Sequence, residues 1–220
     1  MGAELCLSGG EIGSEKLSSD VPSPIDFHDL AQARAWEANA VKRRPWRPQF
    51  FAAFAQALQA RFDLPITVLE LGSGPGHLAE HLLTHCSIDR YVALDFSRAM
   101  HQIARERLPS FLDKIEFIVR DFRQADWGAG LGQFDAVVTL QAAHEIRHRR
   151  HLPDLLKRAR QRLGPGGLFL YCDHYAGDPD LYLTMDEQPS LLTAAGFCEV
   201  QKLLDLGGMA LFSANNTGPV

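Results

Sequence analysis

Residues 68–78 read VLELGSGPGHL. An apolar run, ITVLEL at 66–71, ends at three glycines, Gly72, Gly74 and Gly76, each two residues from the next. A short aliphatic and β-branched run bounded by glycine is a buried strand. Glycine lets the chain turn with positive φ and lets a ligand approach the backbone. The residues that follow, GHLAEHLLTHC, have helical spacing. The stretch is therefore strand, turn and helix, and the helix N-terminus offers unpaired N–H groups to whatever lies over the turn. In an open α/β sheet, ligands bind at this edge.

The same alternation continues outward. RYVALDF (90–96), IEFIVRD (115–121), FDAVVTL (134–140) and LFLYCDHY (168–175) read as strands. SRAMHQIARERL (97–108, opened by Ser97), HLPDLLKRARQRL (151–163) and MDEQPSLLTAAGF (185–197) read as helices, with GPGG (164–167) as a turn. CEVQKLLDL and GMALFSA are joined too tightly at Gly207-Gly208 for a crossover, so they pair antiparallel. The expected fold is α/β and Rossmann-like: a seven-stranded, mostly parallel sheet with an antiparallel last strand and helices on both faces. Before it, residues 1–22 are rich in Gly, Ser and acids and read as a flexible leader. Residues 23–63 hold two helices, the first capped by Asp26, the second carrying Phe50, Phe51, Phe54, Leu58 and Phe62 as a packing stripe. They are expected to form a cap over a domain spanning 64–220.

The totals narrow the class. The 220 residues carry a net charge of −5, which argues against a chain that coats nucleic acid. Cys6, Cys86, Cys172 and Cys198 are scattered, with no C-x-x-C pair, so free thiols in a reducing compartment are expected. No apolar run reaches membrane-spanning length and no signal peptide is read, so the expected location is cytoplasmic, with no membrane partner.

A dinucleotide fingerprint would place its third glycine at residue 77, which is His. The spacing E-x-G-x-G-x-G instead resembles motif I of class I S-adenosylmethionine-dependent methyltransferases, and the resemblance runs from about residue 65 to 214. It implies S-adenosylmethionine as cofactor, S-adenosylhomocysteine as product, and no metal. Glu70, Gly72, Ser73, Gly74 and Gly76 would form the loop around the cofactor. Asp95, ending VALDFS, would hold the ribose hydroxyls, with Phe96, Ser97 and Met100 beside it. Asp121 and Phe122 would meet the adenine. Leu140, Gln141 and Ala142, just past the fourth strand, would lie near the methionine part. The resemblance also implies methyl transfer by in-line displacement to a small-molecule acceptor, through an O, N or C nucleophile that the motifs do not specify. Trp36 is a candidate wall residue. The alternatives are an RNA or protein methyltransferase and a module that binds the cofactor without turnover.

Residues 144–148, HEIRH, match H-E-x-x-H, which on one helical turn presents two imidazoles to zinc. The metzincin continuation fails, since His151 stands where Gly is needed and Asp154 where the third His is needed. Glu187 is a more distant alternative ligand. At the ligand edge of the fourth strand, His144 is instead the first candidate for a general base, with Glu145 beside it. His174 at the end of the fifth strand is the second, with Asp173 to orient it. Residues 147–162 hold seven basic residues against Asp154 alone. Lys42, Arg43, Arg44 and Arg47 form a second basic patch. A solvated helix face is the favoured reading of the long run, RNA phosphate binding the alternative. Arg147 is also a candidate to read a substrate carboxylate.

Overall fold

A computed structural model describes residues 19–216 of the chain. The expected leader, residues 1–22, lies almost wholly outside the described residues, as does Cys6. Seven strands form one sheet: β1 (Ile66–Leu71), β2 (Ile88–Asp95), β3 (Ile115–Val119), β4 (Phe134–Leu140), β5 (Leu163–His174), β6 (Cys198–Leu206) and β7 (Met209–Asn215), in the order β3-β2-β1-β4-β5-β7-β6. β1 to β5 are parallel, and β7 runs antiparallel between β5 and β6. The chain winds outward from β1 in one direction and from β4 in the other. The crevice between the C-terminal ends of β1 and β4 is thus the topological switch point.

Period-two alternation sends Val68 to one face and Leu69 and Leu71 to the other, and both faces are covered. On one face Leu155, Leu156 and Ala159 of α5 (Leu152–Gln161) and Leu192 of α6 (Glu187–Ala194) pack on Leu69, Val92, Val137 and Phe169. On the other, α2 (Arg47–Arg61), α3 (His77–His85) and α4 (Arg98–Arg107) cover Val68, Ala93, Val138 and Leu170. Double-sided burial explains why the strands read as continuous apolar runs.

Within the expected cap, residues 23–63, Phe50, Phe54 and Leu58 of α2 are fully buried in the core of the second sheet face. Only α1 (Leu30–Arg43) lies apart from that core. Ala33 of α1 and Phe27 in the segment before it pack on Met100 and Ile103 of α4. The cap of α1 is Asp29, whose carboxylate accepts from Gln32 N at 2.8 Å. Asp26 instead accepts from His28 N, a local turn that competes with helix and delays its start. Finally, GPGG is part of β5, because Gly166 N donates to Asn216 O and Asn216 N donates to Gly167 O.

Candidate active site

The glycine loop leaves β1 with Gly72 at φ +70°, Gly74 at +53° and Gly76 at +82°. Each glycine does different work. A Cβ on Gly72 would stand 2.3 Å from the Cβ of Ala142, so the turn lies directly against the exit of β4. A Cβ on Gly76 would meet Leu108 and Ala104, so that glycine seats α3 against α4. Nothing lies within 4 Å of a Cβ on Gly74, which faces an open cavity.

Two buried carboxylates border this cavity. Asp95 accepts from Gly74 N and Ser97 N, both at 2.8 Å. Burial still outweighs these bonds and raises its pKa to about 6. Glu70 accepts from the Tyr91 hydroxyl at 2.7 Å, and burial pushes it up to about 8. Arg47, in the first turn of α2, lines the same cavity; burial pulls its guanidinium down to about 10, and its Nε has no hydrogen-bond partner. Residues from all three expected segments meet here: Glu70, Gly72, Ser73 and Gly74; Asp95, Phe96 and Met100; Phe122 with Leu140, Gln141 and Ala142.

Gly76, Ser97 and Asp121 do not line the cavity. Gly76 faces α4. The Ser97 hydroxyl accepts from Met100 N as a helix cap and donates to Phe27 O. Asp121 is turned to Arg123, which donates to both of its oxygens. Arg47 and His77 are lining residues that sequence reasoning missed. The hint for Arg47 was a cation in the first turn of an otherwise apolar helix. His77 is held neutral, its pKa lowered to about 4 by burial.

The second group stands at the ends of β4 and β5. Asp173, 2% exposed, accepts from His144 N at 2.9 Å and contacts His144 Nδ1 at 2.8 Å and His174 N at 2.8 Å. His144 Nε2 lies 3.4 Å from Glu145 Oε1. Burial opposes charge on His144, but Asp173 and Glu145 overcome it and raise the imidazole pKa to about 10. The reverse effect holds both acids below the usual carboxylate range against their own burial. An imidazolium with a carboxylate on each nitrogen has no lone pair for a proton, which counts against His144 as a base. His174 is different. Burial lowers its pKa, and its Nε2 lies 3.0 Å from Gln141 Nε2 and 3.5 Å from Arg44 Nη2. Both neighbours are donors, so this nitrogen carries the lone pair.

HEIRH does not make one helical turn. Ala143–Ile146 is a 3-10 turn, and Arg147 at φ +68° ends it. His148 then accepts from Arg150 N, away from His144. Among the described residues, no group of three or more His, Cys, Asp or Glu side chains is placed to hold a metal ion. Arg147 is not open to a substrate carboxylate: it donates to Glu145 and to the Val21 and Pro22 carbonyls. The rest of the run is largely engaged too. Arg149 pairs with Glu187, Arg150 with Asp20, and Arg158 and Arg162 donate to backbone carbonyls. The expected wall residue Trp36 lines the first cavity and a second, of about 470 Å³, as do Phe27 and Glu145. Among the described residues, no helix is long and apolar enough to cross a membrane.

The methyltransferase-domain family profile matches residues 68–167. Trans-aconitate 2-methyltransferase of Paracidovorax citrulli is 33% identical over 132 residues, covering 56% of this chain and 48% of that protein. The non-reducing polyketide synthase prhL of Penicillium brasilianum is 29% identical over 136 residues, covering 57% of this chain and 5% of the synthase. The chain thus spans half or less of the length of these relatives. The solved structure of N-methyltransferase NodS from Bradyrhizobium japonicum, in complex with S-adenosylhomocysteine, superposes with a TM-score of 0.66 at 16% identity, covering 81% of this chain and 91% of that one. The amino pentose methyltransferase CalS10 from Micromonospora echinaspora, with S-adenosylmethionine bound, gives 0.64 at 20%, covering 82% and 96%. Residues 68–167 thus match a methyltransferase domain, and the strand order and glycine loop are those of the class I methyltransferase fold, whose members use S-adenosylmethionine.

Proposed function

We propose that the chain is an enzyme that transfers a methyl group from S-adenosylmethionine to a small-molecule acceptor in the second cavity. The observation that carries this is the junction of the two cavities at Phe27, Trp36 and Glu145. One cavity suits the cofactor. Gly74 leaves space beside bare backbone, Asp95 offers a carboxylate to vicinal hydroxyls, Glu70 suits an ammonium, and Arg47, whose Nε has no hydrogen-bond partner, suits a carboxylate. When bound, S-adenosylmethionine supplies a sulfonium-activated methyl group. The chain's own part is alignment and exclusion of water, with Trp36 and Phe27 as apolar walls at the junction. His144, Glu145 and Asp173 act as a rigid wall that fixes the exit of β4, and His174 keeps the lone pair suited to taking a proton.

The size of the second cavity favours a small acceptor, being within the range of about 300–1,000 Å³ typical of small-ligand sites. The internal pairing of Arg147, Arg149 and Arg150 argues against RNA on the basic run. The unpaired thiols of Cys86, Cys172 and Cys198 fit work in the reducing cytoplasm. The test is S-adenosylhomocysteine release against fractionated metabolites and against total RNA. Release with a metabolite fraction supports the proposal. Release with RNA alone, or a chain that does not bind the cofactor, overturns it.

A further inference from the structure

The lining of the second cavity is unevenly charged. Arg43, Arg44, Arg147 and His144 face it, against the single carboxylate of Glu145. Two of these cations are already neutralised. Arg147 pairs with Glu145, and His144 lies between Glu145 and the buried Asp173. Arg43 and Arg44 remain. Among the described residues, no carboxylate lies within ion-pair distance of either guanidinium. Arg43 is exposed at the end of α1, where it faces the helix C-terminus and water. Arg44 is half-buried, and its one hydrogen-bond contact is His174 Nε2 at 3.5 Å.

Arg44 also stands close to the cofactor side. The chain Arg44–His174–Gln141 crosses from one cavity to the other, since Gln141 lines the first and Arg44 the second. The remainder of the second cavity is mixed: Ile25, Trp36, Leu181 and Tyr182 give apolar and aromatic wall, and Ser23, Gln32 and Asn39 give polar wall. A half-buried guanidinium without an acid partner, at one end of a chamber of mixed polarity, matches an organic anion.

We propose that the acceptor is a small carboxylic acid, that Arg44 binds its carboxylate, and that this carboxylate is the group methylated. The proposal rests on the methyl-transfer reading above. The chemistry balances without a base. A carboxylate oxygen attacks the sulfonium-bound methyl carbon, the O–C bond forms, and the C–S bond breaks with its electron pair passing to sulfur. No proton leaves the acceptor. That suits a site in which His144, Asp173 and Glu145 are all engaged with one another. A single contact to Arg44 leaves the second carboxylate oxygen open for attack.

The experiment uses the full chain with methyl-labelled S-adenosylmethionine and a small-metabolite extract split into acidic, neutral and basic fractions by ion exchange. The expected result is label from the acidic fraction that is released as methanol by mild alkali, as a methyl ester requires. With the purified acid, Arg44→Gln raises KM at least tenfold while S-adenosylhomocysteine affinity measured by calorimetry stays within twofold, and Arg44→Lys recovers part of the loss. Equilibrium dialysis of the acid in the presence of S-adenosylhomocysteine gives the same ranking without turnover. Alkali-stable label, label from the neutral or basic fractions only, no label while the cofactor binds, or an unchanged KM in a folded Arg44→Gln protein overturns the acid acceptor. Failure to bind S-adenosylhomocysteine at all overturns the methyl-transfer reading beneath it.

Discussion

Glu70 and Asp95, at the ends of β1 and β2, are buried with only neutral hydrogen-bond donors: a tyrosine hydroxyl and two backbone N–H groups. Asp173 and Glu145, at the ends of β5 and β4, are clamped by an imidazolium and a guanidinium. The same residue types on the same sheet edge therefore titrate in opposite directions. The first pair is raised, to about 8 for Glu70 and about 6 for Asp95, and the second is lowered. Carboxylates without a charged partner are poised for a ligand's donors. Clamped carboxylates are framework, and they leave nearby cations such as Arg44 to meet an anion.

The largest expected effect is on the clamped side. Asp173→Asn leaves the buried His144 charge with half its compensation, and should cost about 3–5 kcal/mol of stability. The check is the urea midpoint; a loss under about 1 kcal/mol would mean that Asp173 is not framework. On the loop, Gly72→Ala drives a Cβ into Ala142 and holds alanine at positive φ, for about 3 kcal/mol. Gly74→Ala meets nothing and should cost only about 1 kcal/mol from φ, yet reduce cofactor affinity at least tenfold. Equal stability losses for the two variants would contradict the assignment of the open side to ligand.

The pH responses should also separate the two sides. On the proposed assignment Glu70 and Asp95 hold the cofactor as carboxylates, so affinity should fall as pH drops from 8.5 to 5.5, through their values of about 8 and about 6. His144 is raised, so its stabilisation is full below its ordinary pKa near 6.5 and fades as pH rises towards about 10. The stability gap between wild type and His144→Gln should therefore be widest below pH 6.5 and narrow towards 10. Thermal melts across that range read it directly.

The two sides were not equally legible in the sequence. β1 and β4 have the bounds their apolar runs suggested, since burial on both faces leaves no choice of register, and the edge strand β6 has the bounds that the tight Gly207-Gly208 turn suggested. Most residues that line the first cavity were readable because they lie in three short segments at strand ends. Ser97 and Asp121 lie outside the cavity lining; in sequence, a capping hydroxyl and a local Arg123 pair look like free ligand groups. The acceptor side was harder. HEIRH names residues adjacent in sequence, but their partners, Asp173 for His144 and two carbonyls near residue 21 for Arg147, are distant in the chain. Arg47 and Arg44 looked like one surface patch, whereas the turn between α1 and α2 sends them to different cavities.

The most direct test of that division is one calorimetric series: S-adenosylhomocysteine titrated into wild type, Asp95→Ala and Arg44→Gln. Removing a carboxylate that holds ligand donors should lower affinity by about 100-fold in Asp95→Ala, a loss of about 3 kcal/mol. Arg44→Gln should bind within twofold of wild type. Undiminished binding by folded Asp95→Ala, or equal losses in both variants, would contradict the division into a cofactor side and an acceptor side.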